Sequence, residues 1–106
     1  MSHTKPSCQE FFDRISRKGV VLVDFSADWS VPCNTQLPAI SLISKLFNQK
    51  ASVEIIDVDD QRKLATSLQI TSIPTMILFK DGIEVMRFVG LQKPDVLSQA
   101  LENMIG

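Results

Sequence analysis

The sequence has 106 residues, of which 44% are hydrophobic, and its 11 Lys and Arg residues nearly balance its 12 Asp and Glu residues. This length and apolar content predict one domain, residues 1–106, with a hydrophobic core of its own. The near-neutral charge argues against nucleic acid or an anionic membrane surface as a partner. No apolar run is long enough to span a bilayer, and Met1–Ser7 lacks the apolar core of a signal peptide. Two cysteines are too few for a disulfide framework, and two cysteines with one histidine are one ligand short of a structural zinc site. We therefore expect a monomer in a reducing, cytoplasmic setting, with no bound metal.

The first third of the chain predicts a helix followed by a buried strand. Residues Ser7–Glu10 have the pattern of a capping box, in which the serine and the glutamate side chains satisfy free backbone amides at the start of a helix. Gly19 ends this helix. The next segment, Val20–Phe25, is apolar without alternation apart from Asp24, which is typical of a strand buried on both faces.

The middle of the chain predicts a second helix, a second buried strand and a short third helix. The second helix begins at Pro32, because proline suits the first helical turn and apolar residues then recur every three or four positions. The second buried strand is Val53–Val58. Asp59 or Asp60 would cap the short helix, since an aspartate side chain can accept hydrogen bonds from its first free amides.

The last third predicts a hairpin and a final helix. The strand-like segments Thr75–Lys80 and Ile83–Val89 are separated by Asp81-Gly82, a strong signal for a two-residue hairpin turn. Pro94 opens a helix with one apolar stripe. Strands that alternate with helices form parallel crossovers, and the hairpin adds an antiparallel pair. The predicted fold class is α/β, with a mixed four- to five-stranded sheet flanked by helices on both faces.

The most informative segment is Trp29-Ser30-Val31-Pro32-Cys33, which follows the first predicted strand. It has the form of a Cys-x-x-Cys motif at the start of a helix, with serine in place of the first cysteine. In such a motif, one thiolate attacks a disulfide and the other resolves the mixed disulfide that results. A serine hydroxyl cannot form a disulfide, so the chain is predicted to be inactive in dithiol turnover.

This segment, Ser72–Thr75 and the order of elements resemble thioredoxin along almost the whole chain. Val23–Cys33 is similar to the family's Val-Asp-Phe-x-Ala-x-Trp-Cys-Gly-Pro-Cys, with serine and valine replacing the first cysteine and the glycine. The positions that match the family are Asp24, Trp29, Pro32, Cys33, Pro38, Pro74, Thr75, Gly82 and Gly90. The resemblance implies the thioredoxin fold and a disulfide oxidoreductase that acts on protein disulfides. It also implies recycling by a flavin-dependent thioredoxin reductase, with no cofactor held by the chain itself.

The resemblance assigns roles to three residues of the candidate redox centre. Ser30 stands at the position of the nucleophilic cysteine, and Cys33 stands at that of the resolving cysteine. Asp24 would lie buried beneath the motif and assist proton transfer from Cys33, and burial should raise its proton affinity. Many bacterial relatives place a lysine near this aspartate, and the matching strand position here is Ile55.

The resemblance also implies a surface for substrate binding around the motif. It would consist of Trp29, Val31, Pro32, Ile73, Pro74 and Gly90. Pro74 matches the family's cis-proline, and a cis bond would turn the Ile73 backbone outward to pair with an extended substrate peptide. Val31 is β-branched and should stiffen the loop and crowd its entrance.

Ser30 has two interpretations, and Cys33 alone suggests a third. In the first, the native protein carries cysteine at position 30, and serine was substituted to prevent oxidation or to disable turnover. In the second, serine is natural, and the domain is a redox-inactive thioredoxin-like protein-binding or chaperone module. The retained residues favour the first, namely Asp24, Trp29, Cys33 and Pro74. In the third, Cys33 is a monothiol that holds glutathione or an iron–sulfur cluster, but sites of that kind keep the first cysteine.

Overall fold

The computed structural model describes residues 8–105, and in that range four helices and four strands follow one another in the predicted order. The elements are α1 (Cys8–Ser16), β1 (Val20–Ser26), α2 (Val31–Leu46), β2 (Ser52–Asp57), α3 (Arg62–Ser67), β3 (Thr75–Lys80), β4 (Ile83–Val89) and α4 (Pro94–Ile105). Ser7, the first residue of the predicted capping box, lies outside the described residues. Within the described range, no helix has both the length and the apolar character needed to cross a membrane.

The four strands form one mixed sheet in the order β2-β1-β3-β4. β1 runs parallel to β2 and antiparallel to β3, and β3 runs antiparallel to β4. The parallel pair is joined by α2, and the antiparallel pair β3–β4 is joined by Asp81 and Gly82. Both turn residues have positive φ, as a two-residue type I′ turn requires. The predicted fold class is confirmed, with four strands.

Helices cover both faces of the sheet and enclose two apolar clusters. On one face, alternate residues of β1 such as Leu22 pack with Ile40 and Ile43 of α2 and with Leu97 of α4. On the other face, Val21, Val23 and Phe25 pack with α1 and α3. Because successive side chains of a strand point to opposite faces, Asp24 belongs to the face covered by α2 and α4. Every residue of β1 is buried, as predicted for a strand covered on both sides.

Two local predictions in the middle of the chain are wrong. β2 was expected to be buried, but it is an edge strand, and its Ile55 is 51% exposed. An apolar run shows that a strand can form, whereas its place in the sheet depends on which strands take the centre. The N-cap of α3 is Gln61, so neither Asp59 nor Asp60 caps that helix. The Asp57 carboxylate instead accepts hydrogen bonds from the backbone amides of both aspartates and forms the turn after β2.

Candidate functional site

The motif residues lie where β1 ends and α2 begins. Trp29 and Val31 are 69% and 74% exposed, and Pro32 is also exposed. Ser30 and Cys33 are buried, with 6% and 2% of their surfaces exposed. The two positions of the predicted redox pair therefore expose little surface, while their neighbours form the outer surface of the candidate site.

Ser30 is the N-cap residue of α2. Its backbone is extended, with φ −91° and ψ 120°, and its carbonyl oxygen accepts a hydrogen bond from the Asn34 amide at 3.1 Å. Its Oγ accepts from the backbone amide of Cys33 at 3.4 Å. A serine hydroxyl in this position satisfies one of the free amides of the first helical turn. The same amides and the helix dipole would favour a negative charge at position 30.

Asp24 is a fully buried carboxyl group in the central strand β1. Neither of its oxygens has a hydrogen-bond partner among residues 8–105. Its neighbours on the adjacent strands are Ile55 of β2 and Met76 of β3, so both flanking side chains are apolar and uncharged. Burial raises the pKa of Asp24 from 3.8 to about 6, because the charged form loses its hydration. The predicted rise in proton affinity is confirmed, and Ile55 is confirmed as its strand neighbour.

Asp24 and Cys33 belong to the same layer of the protein. The buried residues of α2 recur at intervals of three and four, from Cys33 through Gln36 to Ile40 and Ile43. The two isoleucines pack on the sheet face that includes Asp24. The stripe of α2 that carries Cys33 therefore faces the sheet, on the side of the buried carboxyl.

The topology brings the other predicted site residues to the end of the sheet where β1 ends and β3 begins. The peptide bond between Ile73 and Pro74 is cis, as predicted, and it directly precedes β3. The end of β1 lies beside the start of β3, because Phe25 pairs with Thr75. The Pro74 carbonyl oxygen accepts a hydrogen bond from the Gly90 amide at 2.8 Å, which fixes the end of β4 at the same place. Pro74 is buried, whereas Ile73 and Gly90 are half-buried.

Asp59 is a member of this site that has no local signal in the sequence. Its Oδ2 accepts a hydrogen bond from the indole Nε1 of Trp29 at 2.6 Å. Asp59 follows β2, and β2 runs parallel to β1, so the segments after both strands meet at one edge of the sheet. The carboxylate thus holds the ring of an exposed tryptophan beside the motif.

Gln36 is a second residue that local patterns do not mark. It lies one turn after Cys33 in α2 and is 1% exposed. Its side-chain amide donates to the Gln92 carbonyl oxygen at 2.9 Å and accepts from the Gln92 amide at 2.8 Å. Both hydrogen bonds join α2 to the segment between β4 and α4.

The two cysteines lie on opposite faces of the sheet. Cys8 begins α1 and packs against the cluster beneath α1 and α3, with its sulfur 3.9 Å from the Ser67 hydroxyl. Cys33 lies in α2 on the other face, and both thiols are free. In the described part of the chain, no group of three or more His, Cys, Asp or Glu side chains could hold a metal ion.

Comparison with known proteins places these features in one family. The family model described as Thioredoxin matches residues 3–103. A thioredoxin of Staphylococcus saprophyticus is 36% identical over 97% of this chain and 98% of its own length. A thioredoxin of Chlamydia pneumoniae is 40% identical over 89% of this chain and 91% of its own length. A solved mutant thioredoxin from Halobacterium salinarum superposes with a TM-score of 0.84 at 37% identity, covering 92% of this chain and 85% of that one. The chain belongs to the thioredoxin family.

Proposed function

We propose that this chain is the scaffold of a thioredoxin-type protein disulfide oxidoreductase whose catalytic cycle is blocked at Ser30. The observation that carries the proposal is that Cys33, buried in the first turn of α2, and Asp24, a buried carboxyl of β1, lie on the same side of the sheet. With a pKa of about 6, this carboxyl holds a proton more tightly than an ordinary aspartate does, so its proton affinity is closer to that of a thiol. It is therefore suited to exchange a proton with Cys33.

The proposed cycle needs a thiol at position 30. Its thiolate, favoured by the N-terminus of α2, would attack one sulfur of a substrate disulfide and release the other as a thiolate. Cys33 would then pass its proton to Asp24 and attack the sulfur at position 30 in the mixed disulfide. The second substrate sulfur would also leave as a thiolate, the two thiolates would take up protons from Asp24 and solvent, and a disulfide would join positions 30 and 33. Two electrons would thus pass from the protein to the substrate.

The polypeptide substrate would dock around the motif, mainly on its exposed residues and less on the half-buried Ile73 and Gly90 and the buried Pro74. Trp29 and Val31 offer large apolar surfaces there, and the Asp59 carboxylate orients the indole of Trp29. The surface would consist of Trp29, Val31, Pro32, Ile73, Pro74 and Gly90. The side chain of Val31 would narrow the approach to position 30, because a branched side chain projects there into solvent.

Ser30 would stop the cycle at its first step. An oxygen cannot take the place of sulfur in the mixed disulfide, and the remaining thiol of Cys33 lies on the stripe of α2 that packs against the sheet, whereas position 30 is the N-cap at the helix end. A shielded thiol can resolve a disulfide that has formed beside it, but it reacts poorly with disulfides from solution. In the proposed setting, the protein is a single-domain monomer of the cytoplasm, where a flavin-dependent thioredoxin reductase would return its disulfide form to the dithiol.

The decisive experiment is the reduction of insulin disulfides with dithiothreitol as the electron source. The Ser30→Cys chain should catalyse this reduction, and the Ser30 chain should remain at the uncatalysed rate. Ser30→Ala is the matched control, since it removes the hydroxyl without adding a thiol. If Ser30→Cys also stays at the uncatalysed rate, the scaffold does not support disulfide exchange and the proposal fails.

A second variant separates the roles of the two sulfurs. With Ser30→Cys and Cys33→Ser combined, attack can occur but resolution cannot. This double variant should accumulate a mixed disulfide with one substrate chain, which intact-protein mass spectrometry detects and dithiothreitol reverses. If no adduct forms while the Ser30→Cys chain is active, the assignment of the attacking position to residue 30 is wrong.

A binding module without redox activity is the second candidate function. The observation that favours it is the N-cap role of Ser30, because a serine that completes α2 fits a protein in which this residue is natural. The surface around Trp29 would then bind an extended polypeptide without exchange chemistry. An inactive Ser30→Cys chain in the insulin assay would favour this candidate.

A further inference from the structure

Gln36 presents a buried side-chain amide whose two hydrogen bonds go to the backbone of one residue. Its amide nitrogen reaches the Gln92 carbonyl oxygen at 2.9 Å, and its oxygen receives the Gln92 amide at 2.8 Å. This arrangement matches the donor and acceptor pattern that one strand offers another. The contact is specific, because an apolar side chain of the same size would leave both Gln92 groups without these partners.

The segment held by Gln36 has no regular secondary structure of its own. Residues 90–93 connect β4 to α4, and one end is attached by the Gly90 amide to the Pro74 carbonyl oxygen. The other end is attached by Gln92 to Gln36. Leu91 lies between the two attachment points and is 53% exposed.

These two attachments join the segment to the two parts of the chain that form the proposed substrate surface, the residues before β3 and the helix α2. Pro74 and Gly90 belong to that surface, and Gln36 lies on the same helix as Cys33, one turn further along. The position of Leu91 relative to the motif therefore depends on the Gln36 contact. Without it, the segment would remain attached at Gly90 and at the start of α4, where the Lys93 carbonyl oxygen accepts from the Val96 amide, and the residues between these two points would be free to move.

We propose that Gln36 is a positioning residue for polypeptide recognition, which holds the segment 90–93 against α2 so that Leu91 extends the substrate surface beside Gly90. The inference rests on the proposed function, since it assigns a residue to the same docking surface. Gln36 does not touch the reacting sulfurs in this scheme. Its loss should weaken the binding of a protein disulfide and leave the exchange step unchanged.

The expected size of the effect follows from the population of the ordered segment. If loss of the two hydrogen bonds leaves the segment in place for between about a third and a tenth of the time, the apparent affinity falls by about three- to tenfold. The effect should appear in KM, because a surface outside the reacting centre contributes to binding before and during the reaction alike. A small disulfide that does not reach the segment should be reduced at an unchanged rate.

The test compares variants in the Ser30→Cys background. Adding Gln36→Leu should raise KM for insulin by about three- to tenfold, with kcat and the rate of hydroxyethyl disulfide reduction within about twofold of the parent. Hydrogen exchange of the Gln92 amide should become at least about tenfold faster. Gln99→Leu is the matched control, since it makes the same chemical change on the exposed face of α4 and should alter none of these quantities.

A second substitution covers the case in which leucine disturbs the packing of α2. Gln36→Glu keeps the shape of the side chain, and only its protonated form can both donate and accept as glutamine does. Protection of the Gln92 amide, expressed relative to the parent at the same pH, should be lost at pH 8 and recover as the pH falls. A role limited to packing would not produce this recovery.

The outcomes separate this inference from the proposed function. If the Ser30→Cys chain is active but KM for insulin is unchanged by Gln36→Leu, the positioning role is wrong and the proposed function stands. If protection of Gln92 is the same in all variants, the segment is not held by Gln36, and the inference again fails. If the Ser30→Cys chain is inactive, the proposed function fails and this inference fails with it.

Discussion

Position 30 combines two requirements that depend on different atoms. As the N-cap of α2, it must offer an acceptor to the Cys33 amide, and the Ser30 hydroxyl does so. As the attacking group of a disulfide exchange, it would need a sulfur. The helix N-terminus serves both requirements, because the free amides that a hydroxyl satisfies are also the groups that would stabilise a thiolate.

The capping role of Ser30 can be measured without reference to redox chemistry. We expect Ser30→Ala to lower the free energy of unfolding by about 0.5–2 kcal/mol, because the alanine cannot accept the hydrogen bond from the Cys33 amide. Urea denaturation followed by far-UV circular dichroism at pH 7 measures this loss. Ser41→Ala, on the exposed face of the same helix, should be neutral or slightly stabilising, since alanine has the higher helix propensity. Equal stabilities of the two variants would contradict the capping role.

At the scale of elements, the hairpin between β3 and β4 packs closely against α1. The Asp81 amide donates to the Gly19 carbonyl oxygen at 2.9 Å, which ties the turn to the segment after α1. A Cβ placed on Gly82 would lie 2.8 Å from the Cβ of Ser16, closer than side chains pack. Gly82 therefore provides both the positive φ of the turn and the space that α1 occupies.

Two glycine variants separate the steric cost from the backbone cost. Gly19 also has a positive φ, of +77°, but a Cβ there would meet nothing within 4 Å. We expect Gly19→Ala to cost about 1–2 kcal/mol through its backbone conformation alone. Gly82→Ala should cost about 1–3 kcal/mol more, because Ser16 or the turn must also move. Urea unfolding measures the loss of unfolding free energy in each variant. Equal losses would show that the turn has room for a side chain at Gly82.

The elements themselves could be predicted from the sequence because their signals are local. The Asp81-Gly82 turn, the strands on either side of it and the start of α4 at Pro94 all depend on neighbouring residues, and the structure has them where the patterns indicate. The edge position of β2 could not be predicted in this way, since it depends on which strands pair. The Trp29–Asp59 contact spans 30 positions of the sequence and the Gln36–Gln92 contact spans 56. No local pattern therefore marks either contact. Asp24 could be singled out from the sequence because a carboxyl inside an apolar strand is unusual, whatever the strand packs against.

At the scale of the whole molecule, the sheet separates two apolar layers and collects the site at one edge. β1 is covered on both faces, which supplies the low-polarity surroundings of Asp24. The same burial that would suit this carboxyl to the proposed proton exchange makes its charged form costly. The stability of the protein should therefore depend on pH in a way that is traceable to one residue.

The pKa of Asp24 determines the direction of this dependence. The folded protein, with a pKa of about 6 at this group, holds a proton that the unfolded chain, with a pKa near 3.8, has already released. Unfolding between these values therefore releases a proton, so the free energy of unfolding falls as the pH rises from about 4 to about 6 and then levels off. A difference of roughly two pK units corresponds to a loss of about 3 kcal/mol between the two limits.

Asp24→Asn should remove this loss, because a side-chain amide of nearly the same shape carries no charge at any pH. We expect the variant to be more stable than the parent by about 1–3 kcal/mol at pH 7.5, and the difference should shrink as the pH falls towards 4. Urea unfolding of both proteins across this range measures the difference, in which the titration of all other groups cancels. Asp28→Asn is the control, since it makes the same chemical change at an exposed residue. If the parent and the Asp24→Asn protein differ by the same amount at every pH, the carboxyl of Asp24 does not titrate differently in the folded and unfolded chains, and its fitness as a proton acceptor for Cys33 is refuted as well.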